Sequence, residues 1–213
     1  GVQVGMRRRH AQGLCPDLEI ATYQPDRDRR AFNIVVRTIN EIVPLIEVSE
    51  PGVIVFATRG PSRYFGGDEP MANKIVQALR TSIVADSQFG VGIADSRLAA
   101  HIAAHISAQN KAKAPFIVEP EKTKVWLAQK SVRVLNEFAN INGETVSLLE
   151  RLGLNTLHDV SKIGESVLAG RFGELGVELH RLARGDEQHP LAAVAPPPEH
   201  LCSRAFEEPI FDQ

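Results

Sequence analysis

The sequence lacks the residues and patterns that mark several classes of protein. Its 213 residues include two cysteines, Cys15 and Cys202, which lie far apart and form no CxxC motif. That usage favours reduced thiols in a cytoplasmic protein over a disulfide framework. No apolar run approaches the roughly 20 residues of a membrane-spanning helix, and the first residues show no signal-peptide pattern. The first residue is Gly1 rather than Met, which suggests a fragment of a longer protein.

A strong charge of either sign is absent as well. The formal net charge is −2 at pH 7, whereas domains that bind DNA by themselves are usually basic. The balance therefore argues against strong non-specific DNA binding by this chain alone. It leaves room for a local basic face, or for a partner that supplies most of the positive charge.

The first part of the chain alternates between strand and helix patterns. Apolar spacing, caps and turn residues predict the following elements: a helix over 6–14, a strand over 18–23, a helix over 25–43, a hairpin over 45–58, a loop over 58–67, a helix over 70–81, a strand over 89–94, a helix over 96–108 and a strand over 116–118. This order favours an α+β fold in which an antiparallel or mixed sheet carries helices on one face.

Only helical periodicity remains after residue 123, and glycines mark the turns of a small helical domain up to residue 184. A proline-rich connector follows residue 186, and residues 204–210 resemble the start of a further domain. The predicted organisation therefore has four parts. An end segment over 1–16 precedes an α+β domain over 17–122. A helical domain over 123–188 follows, and then a linker with the start of a truncated domain over 189–213.

Four stretches, in this order, resemble the Y-family (lesion-bypass) DNA polymerases: residues 5–16, 45–58, 92–104 and 152–186. The first resembles the end of the fingers and the second the palm hairpin. The third resembles a further palm segment and the fourth the thumb. The string 59–67, Arg-Gly-Pro-Ser-Arg-Tyr-Phe-Gly-Gly, most resembles the ImuB-like accessory proteins of that family. The resemblance implies a fragment without the first palm strand and the little finger, acting in DNA repair and SOS mutagenesis on damaged DNA.

The hairpin departs from the family pattern at its tip. Y-family polymerases place a Ser-x-Asp-Glu stretch here, and counting from Ser49 the two acidic positions are Pro51 and Gly52. Neither side chain can hold a metal ion, so the chain is predicted to have no catalytic residues and no metal site. Glu50 is one residue out of register, which turns its side chain to the other face of a strand. We therefore expect no cofactor, with Mg²⁺ required only if the chain is an active enzyme.

The second palm segment carries Arg97 and His101 where the family has lysines. The two residues lie four apart on one helix face, and Arg97 is a candidate phosphate-binding residue. The alternative is an exposed charge on an amphipathic helix. His101 and His105 share the same spacing, but no acidic or cysteine residue nearby in sequence completes a metal site.

The helical part resembles a thumb with two degenerate helix-hairpin-helix turns. Such turns direct backbone N–H groups at a DNA phosphate, helped by the helix dipole. Two asparagines replace glycines in the first turn, and Asn tolerates a positive φ better than most residues. A purely structural role is the alternative. The candidate DNA-binding residues are Asn140, Ile141, Asn142, Gly143, Thr145, Gly173 and Gly176.

Together these features favour a non-catalytic Y-family polymerase homologue that acts as an adaptor in translesion synthesis. Its expected partners are primer-template DNA, bound weakly, and a sliding clamp and an error-prone polymerase, contacted through regions outside this sequence. One alternative is an active lesion-bypass polymerase whose metal ligands lie in the missing N-terminus. Another is a protein-interaction module without DNA binding.

Overall fold

The computed structural model describes residues 2, 6–22, 24–82, 87–111 and 113–186. Eleven helices and four short strands lie in this part of the chain. The first part contains α1 (Arg8–Leu14), α2 (Pro25–Asn40), β1 (Glu47–Glu50), β2 (Val53–Val55), α3 (Arg59–Phe65), α4 (Asp68–Ser82), β3 (Gly92–Ile93), α5 (Arg97–Gln109) and β4 (Phe116–Ile117). The second part contains α6 (Thr123–Ala128), α7 (Val134–Phe138), α8 (Gly143–Arg151), α9 (Leu157–Lys162), α10 (Glu165–Phe172) and α11 (Glu174–Arg184).

The strands form two small sheets rather than the single sheet that the sequence predicts. β1 and β2 pair as an antiparallel hairpin, and β3 and β4 pair in parallel. The predicted strand at 18–23 is wrong for residues 18–22, which form no strand and are largely exposed. There the Leu18 N–H donates to the Cys15 carbonyl, so the backbone turns instead of pairing with a neighbouring strand.

The segment 59–67, predicted to be a loop, folds mainly as α3. Gly60 and Pro61 fall in its first turn, where a residue without an N–H donor is tolerated because that donor has no partner inside the helix. The helix ends at Gly66, whose φ of 84° lies in the left-handed region, and Gly67 also has a positive φ. The Gly-Pro and Gly-Gly pairs therefore mark the two ends of a short helix.

Two hydrophobic cores hold the described residues together. The first contains apolar residues of α2, α4, β3 and the segment before β1. The second joins the helices from α6 onward and also takes in Leu98, Ala99 and Ile102 of α5. Helix α5 therefore belongs to both halves of the molecule, because it supports β3 and β4 while its buried side chains enter the helical core. The predicted segment bounds stay predictions, and the linker region from 187 onward lies outside the described residues.

Close backbone contact holds β3 and the preceding residues against α5. A Cβ atom added to Gly92 would lie 2.2 Å from the Ala104 nitrogen, and one added to Gly90 would lie 1.9 Å from the Ala104 oxygen. Ser107 reinforces the contact by accepting from the Val91 N–H at 3.3 Å. Only glycine fits at these two positions, and only small residues fit on the facing side of α5.

A hydrogen-bonded junction links the end of β3 to the start of the helical part. The Asp95 carboxylate accepts from the Thr123 hydroxyl and from the Glu121 N–H, both at 3.0 Å. Ser96 caps α5 by accepting from the Ala99 N–H at 3.3 Å. Within the described residues, no helix combines the length and apolarity that a membrane crossing requires.

We expect Gly92→Ala to destabilise the protein by about 1–3 kcal/mol or more, because the added methyl group would overlap the α5 backbone. Gly170→Ala is the matched control, since a Cβ at this helical glycine meets nothing within 4 Å and alanine favours a helix by roughly 1 kcal/mol. Urea unfolding followed by circular dichroism measures both effects. Equal stability of the two variants would contradict the close contact.

Candidate functional site

A cleft of about 450 Å³ separates the β1–β2 hairpin from β3, α5 and the helical part. Apolar side chains line most of it, including Ile54 and Leu98. Among the polar residues at its wall are Glu50, Arg97, and Asn140. The cleft therefore brings together three of the regions that the sequence singles out: the hairpin, the start of α5 and the first turn of the helical domain.

The hairpin turn has the backbone geometry predicted from its sequence but offers no metal ligand. Gly52 has a φ of 97°, the left-handed conformation that the Pro-Gly pair favours. Pro51 and Gly52 are both exposed at the tip and have no side-chain oxygen. No group of three or more His, Cys, Asp or Glu side chains is placed to hold a metal ion in the described ranges. The residues present here do not fit the carboxylate site that a magnesium ion requires.

A partly buried ion pair connects the hairpin to α5. The Arg97 guanidinium donates to both carboxylate oxygens of Glu47, at 2.7 and 2.9 Å, and lies 3.4 Å from the Ser49 hydroxyl oxygen. The Glu47 side chain is only 13% exposed and that of Arg97 30%. This bidentate arrangement is the strongest form of a carboxylate–arginine contact. Glu47 is thus an internal partner, and the candidate phosphate-binding group Arg97 is already engaged.

Helix α5 meets the helical domain through two histidines. The rings of His101 and His105 lie 5.0 and 5.2 Å from the ring of Phe138. Burial lowers the pKa of His101 below its usual 6.5, and this effect outweighs the opposing influence of the Glu50 carboxylate and the Phe138 backbone. The pair therefore packs against an aromatic ring at the wall of the cleft.

The first predicted helix-hairpin-helix turn lies between α7 and α8. Asn140 has a φ of 54°, so an asparagine does adopt the left-handed conformation there. The Asn136 side chain donates to the Ile141 carbonyl at 2.7 Å, and the Ile141 side chain is buried. Asn142 caps α8 by accepting from the Glu144 N–H at 2.8 Å. This bond occupies one of the donors that the helix start would otherwise present to an anion.

The rest of that turn lies at or near the surface. Gly143 and Glu144 are exposed, and Thr145 is half-buried in the first turn of α8. The turn therefore combines a left-handed Asn140 with a side-chain amide and a carboxylate at the start of α8.

The second predicted turn lies between α10 and α11. Gly173 is exposed and has a φ of 63°, and its N–H donates to the Ala169 carbonyl at 2.8 Å. Gly176 differs, because it is buried and a Cβ there would lie 2.1 Å from the Leu168 carbonyl oxygen. Gly176 thus serves the packing of α10 on α11, and its burial keeps it from the surface where a phosphate could bind.

Sequence reasoning missed the role of Glu47 because its partner lies fifty positions away. The one available signal is that Glu47 and Ser49 alternate with Val48, which places the two polar residues on one face of a strand. Sequence alone does not say that Arg97 faces them. The contact depends on the position of α5, which the glycines at 90 and 92 set.

We expect Glu47 and Arg97 to be coupled by about 1–3 kcal/mol in a double-mutant cycle with Glu47→Gln and Arg97→Gln, because each change alone leaves a poorly solvated charge. The exposed pair of Arg133 and Glu150, joined at 2.7 Å, is the control and should show much weaker coupling. Urea unfolding of the two cycles provides the measurement. Coupling no larger than that of the control pair would show that the buried contact is absent in solution.

A second prediction concerns pH. The folded pKa of His101 lies below its unfolded value, so protonation favours the unfolded state. The neutral His101 side chain makes its full contribution to stability above about pH 6.5. This contribution is lost as the pH falls through the folded pKa. His101→Gln should reduce the loss of stability on acidification, whereas His158→Gln, a change at an exposed histidine, should retain it. Thermal unfolding across this pH range compares them, and identical profiles for wild type and His101→Gln would refute the prediction.

Known proteins resemble this chain in sequence and in fold. Residues 1–105 match the impB/mucB/samB family. The chain is 28% identical over 193 residues to DNA polymerase IV of Pseudomonas entomophila (strain L48), covering 88% of the chain and 51% of that protein. It is 28% identical over 199 residues to DNA polymerase IV of Shewanella baltica (strain OS195), covering 91% and 52%. The chain thus spans about half the length of the curated relatives it matches.

Solved structures share the fold. The crystal structure of DinB from Sulfolobus solfataricus superposes with a TM-score of 0.71 at 21% identity, covering 90% of this chain and 54% of that one. The insertion ternary complex of Dbh DNA polymerase gives a TM-score of 0.68 at 21% identity, with the same coverages. The family match and the shared fold agree with the hairpin, α5 and helical domain described above. Residues 1–105 are thus similar to the impB/mucB/samB family, and most of the chain shares its fold with these polymerase structures.

Proposed function

We propose that this chain is the palm and thumb of a non-catalytic Y-family homologue, similar to the ImuB-like proteins, that acts as an adaptor in error-prone translesion synthesis. The observation that carries this proposal is the hairpin tip. Pro51 and Gly52 occupy the positions at which the family pattern has carboxylates, and the turn offers no oxygen-bearing side chain. Polymerases stabilise the attacking and leaving oxygens with two metal ions held between carboxylates, and these residues do not build such a site.

The ion pair beside the turn supports the same proposal. A carboxylate that could attract a cation, Glu47, is matched by the guanidinium of Arg97 at 2.7 Å. A divalent ion brought to this face would meet a fixed positive charge, and like charges repel strongly at such distances in a poorly solvated site. The protein therefore supplies its own cation where the hairpin meets α5.

The thumb supports weak binding of primer-template DNA. The turns at Asn140 and Gly173 each contain a residue with a positive φ, and a ternary complex with substrates is among the structures of similar fold. Two features weaken the contact, since Asn142 occupies a backbone donor and the carboxylates of Glu144 and Glu174 lie at helix starts where a phosphate would bind. We propose that the sliding clamp and an error-prone polymerase are contacted by other parts of the protein, and that this chain bridges them to a damaged template.

A second candidate function is active lesion-bypass synthesis. Curated relatives that are similar in sequence carry the name DNA polymerase IV. In that case metal ligands would come from a segment outside this sequence together with Glu50, which lines the cleft, and Mg²⁺ would be the cofactor.

A primer-extension assay with the purified full-length protein, supplied with Mg²⁺ or Mn²⁺, tests the proposal. We expect no nucleotide incorporation, while a DNA polymerase IV assayed in parallel extends the primer. Metal-dependent incorporation that Glu50→Gln abolishes would establish the active candidate and overturn the proposal. Incorporation that Glu50→Gln leaves intact would also refute it and would place the metal ligands elsewhere.

The same preparation tests the DNA contact by fluorescence anisotropy with a labelled primer-template. Binding should be weak and should fall steeply as salt is raised, because phosphate neutralisation releases counterions. An exchange of Asn142 for Ala should not abolish it if the turn backbone makes the contact. Complete absence of binding at low salt would favour a protein-interaction module without DNA.

A further inference from the structure

Helix α3 presents an exposed ridge that the proposed function does not use. The ridge consists of Arg59, Gly60, Arg63 and Tyr64, all of which are exposed. Arg59 and Arg63 lie four apart, as do Gly60 and Tyr64, so the four residues share one side of the helix. Tyr64 is 84% exposed, the largest value among the large apolar and aromatic side chains in the described part of the chain.

The backbone under the ridge is held in place. Phe65 packs against the core formed by α2 and α4. The Ser62 hydroxyl donates to the Asp68 carboxylate, and the Gly67 N–H donates to the Ser62 carbonyl at 2.7 Å. The Tyr64 ring meets the Phe65 ring edge to face, with centroids 4.9 Å apart. An exposed aromatic ring on a fixed support loses little conformational freedom when a partner covers it.

The charge of the ridge is unbalanced. Neither Arg59 nor Arg63 forms an ion pair with the described residues. The carboxylate that lies nearest in sequence, Asp68, already accepts the Ser62 hydroxyl. Two guanidinium groups beside an accessible phenol ring therefore face solvent with no internal counter-charge.

We propose that this ridge, Arg59, Gly60, Arg63 and Tyr64, is a docking site for an acidic segment of a partner protein. Each guanidinium would take one carboxylate, and an apolar side chain between the carboxylates would cover the Tyr64 ring, with Gly60 allowing close approach. Tyrosine and arginine are the residue types enriched in binding hot spots. Paired arginines give carboxylate recognition with defined geometry.

A protein fits the ridge better than a nucleic acid does. Nucleic-acid binding of useful strength needs many phosphate contacts, whereas the ridge supplies two cations on a chain whose net charge is −2. The Pro51-Gly52 turn precedes β2, whereas the ridge follows β2 and therefore lies beyond its other end. A partner bound to the ridge need not compete with DNA at the hairpin tip. The proposal does not depend on whether the protein is catalytic.

A library of short random peptides displayed on phage, selected against the chain, tests the proposal. We expect enrichment of sequences with two acidic residues flanking an aromatic or aliphatic one. Synthetic versions of the enriched peptides should perturb the NMR signals of Arg59, Gly60, Arg63 and Tyr64. Arg63→Glu and Tyr64→Ala should each weaken peptide binding about tenfold or more, the size expected for hot-spot residues.

Arg30→Glu is the matched control, because it makes the same charge change at an exposed position of α2 and should leave peptide affinity unchanged. Circular dichroism checks that all variants fold, as expected for exposed side chains. Enriched peptides without acidic residues, or binding that Arg63→Glu and Tyr64→Ala do not affect, would overturn the proposal. Tighter binding of single-stranded oligothymidylate than of any peptide at these residues would overturn it too, in favour of a nucleic-acid site.

Discussion

The close approach of the β3 segment to α5 is the contact on which the rest of the structure depends. Gly90 and Gly92 let the backbone touch the small-residue face of α5, with no space for a Cβ atom at either position. Once α5 is fixed against β3, its first residue, Arg97, meets Glu47 of the hairpin. Its buried side chains enter the helical core at the same time. One helix therefore sets the geometry of the hairpin, the cleft and the helical domain together.

The hairpin turn depends on its backbone conformation and not on acidic side chains. The Pro51 and Gly52 turn satisfies the backbone by adopting a positive φ at the glycine, and this needs no acidic side chain. Beside this turn, Glu47 pairs with Arg97, and both side chains are largely removed from solvent. The ion pair joins the hairpin to the start of α5.

In the two turns of the helical domain, the backbone conformation and the roles of the individual residues can be described separately. Asn140 takes the left-handed conformation, while Asn142 uses its side chain to cap α8. At the second turn Gly173 keeps an exposed glycine, whereas Gly176 is used for packing α11 against α10. The residues of these two turns therefore cap and pack the helices that they join.

Local sequence determined the helices, the hairpin turn and the helical second half, because apolar spacing, caps and turn residues act within a few positions. Ser96 as the cap of α5 and Pro51-Gly52 as a turn follow directly from those rules. Local rules failed at 59–67, where Gly-Pro and Gly-Gly proved to be the ends of α3, and at 18–22, where an alternating pattern found no partner strand. Only the tertiary structure decided the separation into two small sheets and the pairing of Glu47 with Arg97. Those features depend on which distant segments meet, and the order of residues along one chain does not specify that.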